Sequence, residues 1–242
     1  MELNIWRAPT DNDMYLKQEW KRARYDKAQV RVYDTIFSRV GTSVEINSHL
    51  SLVAASIQKI MDVEAVFQVD EEGGITLTLH VQKDKEFPDL PRFGLRMFLK
   101  KELDQVTYYG MGPYESYQDK QRASSHGLYQ AAVVQMHEDY IRPQENGSHI
   151  DCDYVTLSGT SHALTAGSEH TFSFNASVYT QEELEQKTHH YELEPSGSTI
   201  LCLDYAQNGI GSNSCGPEVL DAYRLKEETF TFSIKLVPLK KN

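Results

Sequence analysis

Four short stretches of the 242-residue chain gather side chains that can do chemistry. The first, Trp6-Arg7-Ala8-Pro9-Thr10-Asp11-Asn12-Asp13, sets an aromatic ring and a guanidinium beside three short acceptors. Aromatic faces stack on the C–H faces of pyranose rings, and carboxylates and amides accept from hydroxyls, so sugar recognition is one chemistry open to this set. Asp11 and Asp13 also offer hard oxygens to Ca²⁺, although the downstream Gly and Glu of an EF-hand are missing. The plain structural alternative is a self-capped turn, with Asn12 or Asp13 starting the following helix.

The second stretch runs from Tyr108 to Lys120 and includes Gly110, Gly112 and Pro113. It predicts a defined turn at a strand end. Glu115 and Asp119, with Arg122 nearby, form either a buried ion network or a polar pocket wall, or else sit at a corner locked by tyrosine packing. The third stretch is Tyr140 to His149. Its Asn146-Gly147 pair marks a turn needing positive φ, and Arg142, Gln144, Glu145, Asn146 and His149 crowd hydrogen-bonding groups into a short span. Asn146-Gly147-Ser148 and Asn175-Ala176-Ser177 match glycosylation acceptors, a match that matters only on a secretory route. The fourth stretch, Ala206 to Pro217, is a Gly/Asn/Ser loop without a GxGxxG–helix pattern, so it predicts a surface loop and no phosphate cradle.

The elements that must carry these stretches are short strands broken by turn residues. Met1 to Asp13 reads as irregular. Leu16, Trp20 and Tyr25 recur at roughly helical spacing and predict a short amphipathic helix over Met14–Tyr25. Strands are predicted at Ala28–Ser38, Thr42–Leu52, Ile57–Val69 and Ile75–Val81. The last two are joined by Glu71-Glu72-Gly73-Gly74, and together they are the strongest hairpin signal in the chain. Further strands are expected at Phe93–Lys101, Asp104–Gly110, Gly127–His137, Gly147–Ser158, His170–Tyr179, Ser198–Tyr205 and Thr229–Leu236. Met111–Gly127 reads as a long loop, and Gln181–Lys187 as a helical turn capped by Thr180. About a dozen strands without alternating βα units predict an all-β fold, a large sandwich of antiparallel sheets with few short helices.

Composition narrows the partners. With 24 basic and 35 acidic residues the net charge is −11, which repels phosphate backbones and anionic membranes, so neither nucleic acid nor membrane is an expected partner. A neutral ligand is unaffected by that charge. Cys152, Cys202 and Cys215 are odd in number and show no CxxC spacing, so reduced thiols in a cytoplasmic setting are the expectation. No His-x-x-x-His pattern predicts zinc, and His189-His190 reads as solvated.

Taken together and in order, the four stretches resemble the C-terminal "small chain" region of glycoside hydrolase family 2 β-galactosidases. Trp-Arg-Ala-Pro-Thr-Asp-Asn-Asp, Gly-Met-Gly-Pro-Tyr-Glu-Ser-Tyr-Gln-Asp-Lys and Arg-Pro-Gln-Glu-Asn-Gly carry the likeness over nearly the whole chain. The resemblance implies a supersandwich of the galactose mutarotase type over residues 1–242, lacking its first strands. It implies packing against a catalytic (β/α)₈ barrel, as a covalent domain or a large subunit, within an oligomer. In that family two glutamates about 5 Å apart cleave terminal β-galactosides such as lactose with retention. They lie on barrel strands, and this sequence shows no barrel pattern. The expectation is therefore an accessory domain with no catalytic residue and no cofactor of its own, the family's Mg and Na belonging to the barrel.

By the same resemblance, Arg7, Asp11, Asn12 and Asp13 match a mobile loop beside the sugar site. Ser212, Asn213, Ser214 and Cys215 match a loop that often presents a tryptophan to the aglycone. Cys215 stands in the tryptophan's place, which implies a wider, less adhesive aglycone site. Arg142, Glu145 and Asn146 complete the predicted carbohydrate-binding set. Two other readings are a stand-alone aldose mutarotase, pairing His126, His137 or His149 with Glu145 or Glu218 as acid and base, and a carbohydrate-binding module.

Overall fold

The computed structural model describes residues 1–54, 58–211 and 214–241. Among them lie twelve strands and two short α-helices. The strands are β1 (Glu2–Asn4), β2 (Ala28–Val40), β3 (Ser43–Ala54), β4 (Lys59–Val69), β5 (Ile75–Lys83), β6 (Arg92–Lys100), β7 (Gln105–Gly112), β8 (Ser125–Ala132), β9 (Ser148–Ser158), β10 (His162–Ser177), β11 (Ser198–Gln207) and β12 (Thr229–Lys240). The helices are α1 (Leu16–Arg22) and α2 (Gln181–Gln186).

The predicted hairpins form where the turn chemistry is complete. Between β4 and β5, Gly73 takes φ +83°, and the Asp70 carboxylate accepts from the backbone N–H groups of Glu72 and Gly74. At α2 the Thr180 hydroxyl accepts from Glu183 N–H at 3.1 Å, the N-cap expected from the sequence. Along β5 every second residue is buried (Leu77, Leu79, Val81), and β12 answers with Phe230, Phe232, Ile234 and Leu236. Fully burying each such side chain is worth about 1.5–3 kcal/mol.

All pairings are antiparallel, and one long strand makes the sandwich. Strand β10 keeps β9 along one edge. Its other edge pairs with β12 over His162–Gly167 and then with β11 over Ser173–Ser177, across a register shift. One branch of the sheet continues β12-β5-β4-β3-β2, the other β11-β6-β1, while β9 carries β7 and β8. The branches face each other over a shared apolar core. Phe230 of β12 meets Phe93 of β6 at 4.9 Å edge to face and stacks on Tyr205 of β11 at 4.5 Å. The all-β antiparallel sandwich is therefore the fold observed.

Three local expectations change. The segment read as irregular opens with β1, held by pairing to β6 rather than by its own pattern. Strand β10 starts at His162, because neighbours on both edges recruit an Ala/Gly-rich stretch of weak intrinsic preference. The predicted strand Gly127–His137 begins at Ser125 and stops at Ala132, giving way to a 3₁₀ turn over Val133–Met136. Ile57 lies outside the described residues. Strand β2 forms as predicted, yet its apolar residues Val32, Ile36 and Phe37 are exposed.

Candidate functional site

Strand ends, not strand faces, bring the four stretches together. The chain leaves β1 beside β6, so Arg7 lands next to the start of β6 at Arg92, which is paired with the last residue of β11, Gln207. The same end holds the first residue of β9, Ser148, whose hydroxyl accepts from Gln207 Nε2 at 3.0 Å. Two close approaches require glycine. A Cβ on Gly94 would sit 2.2 Å from the Leu203 carbonyl. Gly147 adopts φ +71° against the Met136 carbonyl, as its Asn-Gly turn predicts.

Arg7 is fully buried. Its guanidinium donates to both Asp13 oxygens (3.2 and 2.7 Å) and to the carbonyls of Asn208 (2.5 Å) and Gly209 (3.2 Å), and it lies 5.3 Å from the Trp20 ring. Asp13 also accepts from Thr10 N–H at 2.8 Å, so the self-capped turn is present, but its cap is Thr10 and neither Asn12 nor Asp13 starts α1. The Ca²⁺ alternative fails here, because Asp13 is neutralised by Arg7. Among the described residues no three His, Cys, Asp or Glu side chains gather as a metal site.

A second buried cluster lies behind the first. Arg92 donates to both Asp204 oxygens (3.1 and 2.5 Å) and to Glu145 Oε2 (3.2 Å), all three side chains being almost wholly inaccessible. Burial pulls the Arg92 guanidinium toward the neutral form, but the charges of Asp204 and Glu145 outweigh it and hold the proton more tightly than usual. Burial lifts the Glu145 carboxyl above the ordinary range, opposed by Arg92 and Arg7. Glu145 N–H donates to the Ala8 carbonyl at 3.0 Å, joining the two clusters. Glu145 Oε1, Tyr117 Oη and Gln207 Oε1 are buried without a hydrogen-bond partner among the described residues.

These contacts sort the predicted residues. Arg7, Asp13, Glu145 and Asn146 are buried; Arg7, Asp13 and Asn146 direct polar atoms to protein partners, whereas only Oε2 of the Glu145 carboxylate does so. Asn146 donates to the Gln144 carbonyl and accepts from Glu138 N–H. Asn175, also buried, donates to the Asn146 carbonyl, so neither glycosylation motif presents a free amide. The open groups are Asp11, Asn12, Arg142, Ser214 and Cys215. Asn12 bridges the first and fourth stretches, donating to the Ile210 carbonyl at 2.9 Å and accepting from the Ser214 hydroxyl at 3.0 Å. Gln144 exchanges bonds with Asp11, tying in the third. Asn213 and Ser212 lie outside the described residues.

The predicted Glu115–Asp119–Arg122 network is also redrawn. Glu115 pairs with Lys120 and Tyr140 and accepts from Gly147 N–H, while Asp119 accepts from the N–H groups of Ile210 and Gly211 and so pins the fourth loop. Arg122 faces solvent. Sequence reasoning missed Arg92 and Asp204, and it read Gln207 and Asn208 as part of a surface loop, whereas both are buried. The available signal was a charge set inside an apolar strand, Arg92 before Phe93 and Asp204 after Leu203.

The mutarotase pairing is not assembled. His149 is buried between Tyr108 (4.7 Å) and Phe174 (5.3 Å), and its Nδ1 lies 2.9 Å from the Met111 carbonyl. Burial lowers its pKa to about 4. His137 packs on Tyr179, and His126 pairs at the surface with Asp153. Glu218 lines a cavity with Trp20 and Arg224 that contains no histidine.

A galactose 1-epimerase structure from Lactobacillus acidophilus superposes with a TM-score of 0.45 at 9% identity, covering 89% of this chain and 67% of that one. The β-galactosidase of Actinobacillus pleuropneumoniae is 42% identical over 98% of this chain, and that of Staphylococcus xylosus 40% identical over 96%. In both cases the chain spans 23% of the relative's length. The family model for the β-galactosidase small chain matches residues 1–236, and the chain belongs to that family.

Proposed function

We propose that this chain is the accessory sandwich of a retaining β-galactosidase: it borders the sugar pocket, and the catalytic carboxylates lie in the three-quarters of the enzyme outside it. The observation that carries this reading is the asymmetry of the match, which takes in 98% of this chain and 23% of its relative. The rim of Asp11, Asn12, Arg142, Ser214 and Cys215 supplies the hydroxyl-binding chemistry, held in place by Arg7–Asp13 and Arg92–Asp204–Glu145. With a thiol at Cys215 and no ring, the loop offers little stacking to an aglycone.

The same reading accounts for the sheet's two ends. Strands β1 and β2 are the terminal strands of the sheet path, and a cavity of about 390 Å³ lies between them, walled by Leu3 and Ile5 on one side and Ala28 and Val30 on the other. Ile36 and Phe37 of β2 are 62% and 68% exposed. An apolar edge of this length invites another chain, and the remainder of the enzyme is the proposed occupant.

The test is hydrolysis of a chromogenic β-galactoside. The purified chain is expected to release no chromophore above the uncatalysed rate, and addition of a barrel-bearing polypeptide is expected to restore turnover. Hydrolysis by the chain alone at enzyme-like rates would overturn the accessory role.

A further inference from the structure

A cavity of about 360 Å³, lined by none of the rim side chains, lies between the loop joining β7 to β8 and the loop joining β8 to β9. That is the lower end of the range for small-molecule sites, roughly 300–1,000 Å³. One wall is rigid. The buried Glu115 carboxylate accepts from the Lys120 ammonium, the Tyr140 hydroxyl and, at 2.8 Å, Gly147 N–H, while the ammonium lies 5.5 Å from the Tyr140 ring. The other walls are open. The Tyr114 ring is 61% exposed, and the side chains of Arg122 and Glu138 make no hydrogen bond or ion pair among the described residues.

We propose that this cavity binds a neutral pyranose at a second site, distinct from the rim of Asp11, Asn12 and Ser214. Every hydroxyl of a sugar both donates and accepts. Arg122, with five N–H donors, and Glu138, with two acceptor oxygens, supply the complementary pair, and the Tyr114 face covers the C–H surface of the ring. Charge selects against the alternatives. Glu115, Glu138 and Asp139 outnumber Lys120 and Arg122, so a phosphate or carboxylate ligand meets a net negative wall. An apolar ligand would strip water from Arg122 and Glu138 without replacing their hydrogen bonds. The inference does not depend on the hydrolytic reading, since it concerns binding alone.

The test is a titration of the full chain with methyl β-galactoside and methyl β-glucoside, followed by NMR. Saturable binding of at least one is expected, weakened roughly tenfold by Arg122→Ala or Tyr114→Ala and unchanged by Lys85→Ala. All three residues lie at the surface, and unaltered circular dichroism will show that each variant folds. No saturation up to about 50 mM, high for an open shallow site, would overturn the proposal. So would binding lost with Asn12→Ala but kept with Arg122→Ala and Tyr114→Ala, or tighter binding of glucuronate than of the neutral sugars.

Discussion

Acid lability of the sandwich should trace to one imidazole. His149 is 2% exposed, packed between Tyr108 and Phe174, with its Nδ1–H donating to the Met111 carbonyl. Burial disfavours the charged ring and outweighs both the Met111 bond and the nearby Glu115 charge, lowering the pKa from 6.5 to about 4. The unfolded chain therefore binds more protons than the folded one between those values. The stabilisation is complete above pH 6.5 and is lost as pH falls toward 4, a loss of about 3 kcal/mol. Urea titrations at pH 7, 6, 5 and 4 can be read by the fluorescence of Trp6 and Trp20, both buried. His137, also lowered by burial, adds to the slope in the same direction, while Glu145, raised by burial, opposes it. Subtracting His149→Gln from wild type cancels both. The difference in unfolding free energy is expected to shrink by about 3 kcal/mol from pH 7 to pH 4. A difference constant to within about 0.5 kcal/mol would refute the assignment.

Two further outcomes follow from the buried groups. Arg92→Met leaves Asp204 and Glu145 buried without their partner and should cost about 3–5 kcal/mol, read as a lower urea midpoint, whereas Lys85→Met at the surface should change it by less than about 0.5 kcal/mol. An aromatic disulfide reagent should label Cys215 alone in the native chain, because Cys215 is exposed while Cys152 and Cys202 are buried and burial pushes the Cys202 thiol up to about 12. Rapid reaction of a second thiol would count against the described packing.

Local chemistry made much of the fold legible. Period-two alternation in Ile75–Val81, the Glu71-Glu72-Gly73-Gly74 turn, Thr180 at a helix start and Asn146-Gly147 before β9 are each decided within a few residues, and the structure keeps them all. Elements that depend on a neighbour were hidden. Strand β1 exists because β6 lies beside it, and the first half of β10 exists because β9 and β12 flank it.

The candidate site divides in the same way. By itself the sequence determined which polar stretches would lie on loops, since Gly, Pro, Asn and Asp dictate turns through their own backbones. Only the tertiary structure decided which of those side chains are buried and which stay open to solvent. Arg7 and Asp13 carry the residue types of a binding loop, yet they are sealed by the carbonyls of Asn208 and Gly209, some 200 residues away. Arg92 and Asp204, 112 residues apart, meet because β6 and β11 are paired. Burial is a property of converging strand ends, and no window of neighbouring residues encodes it.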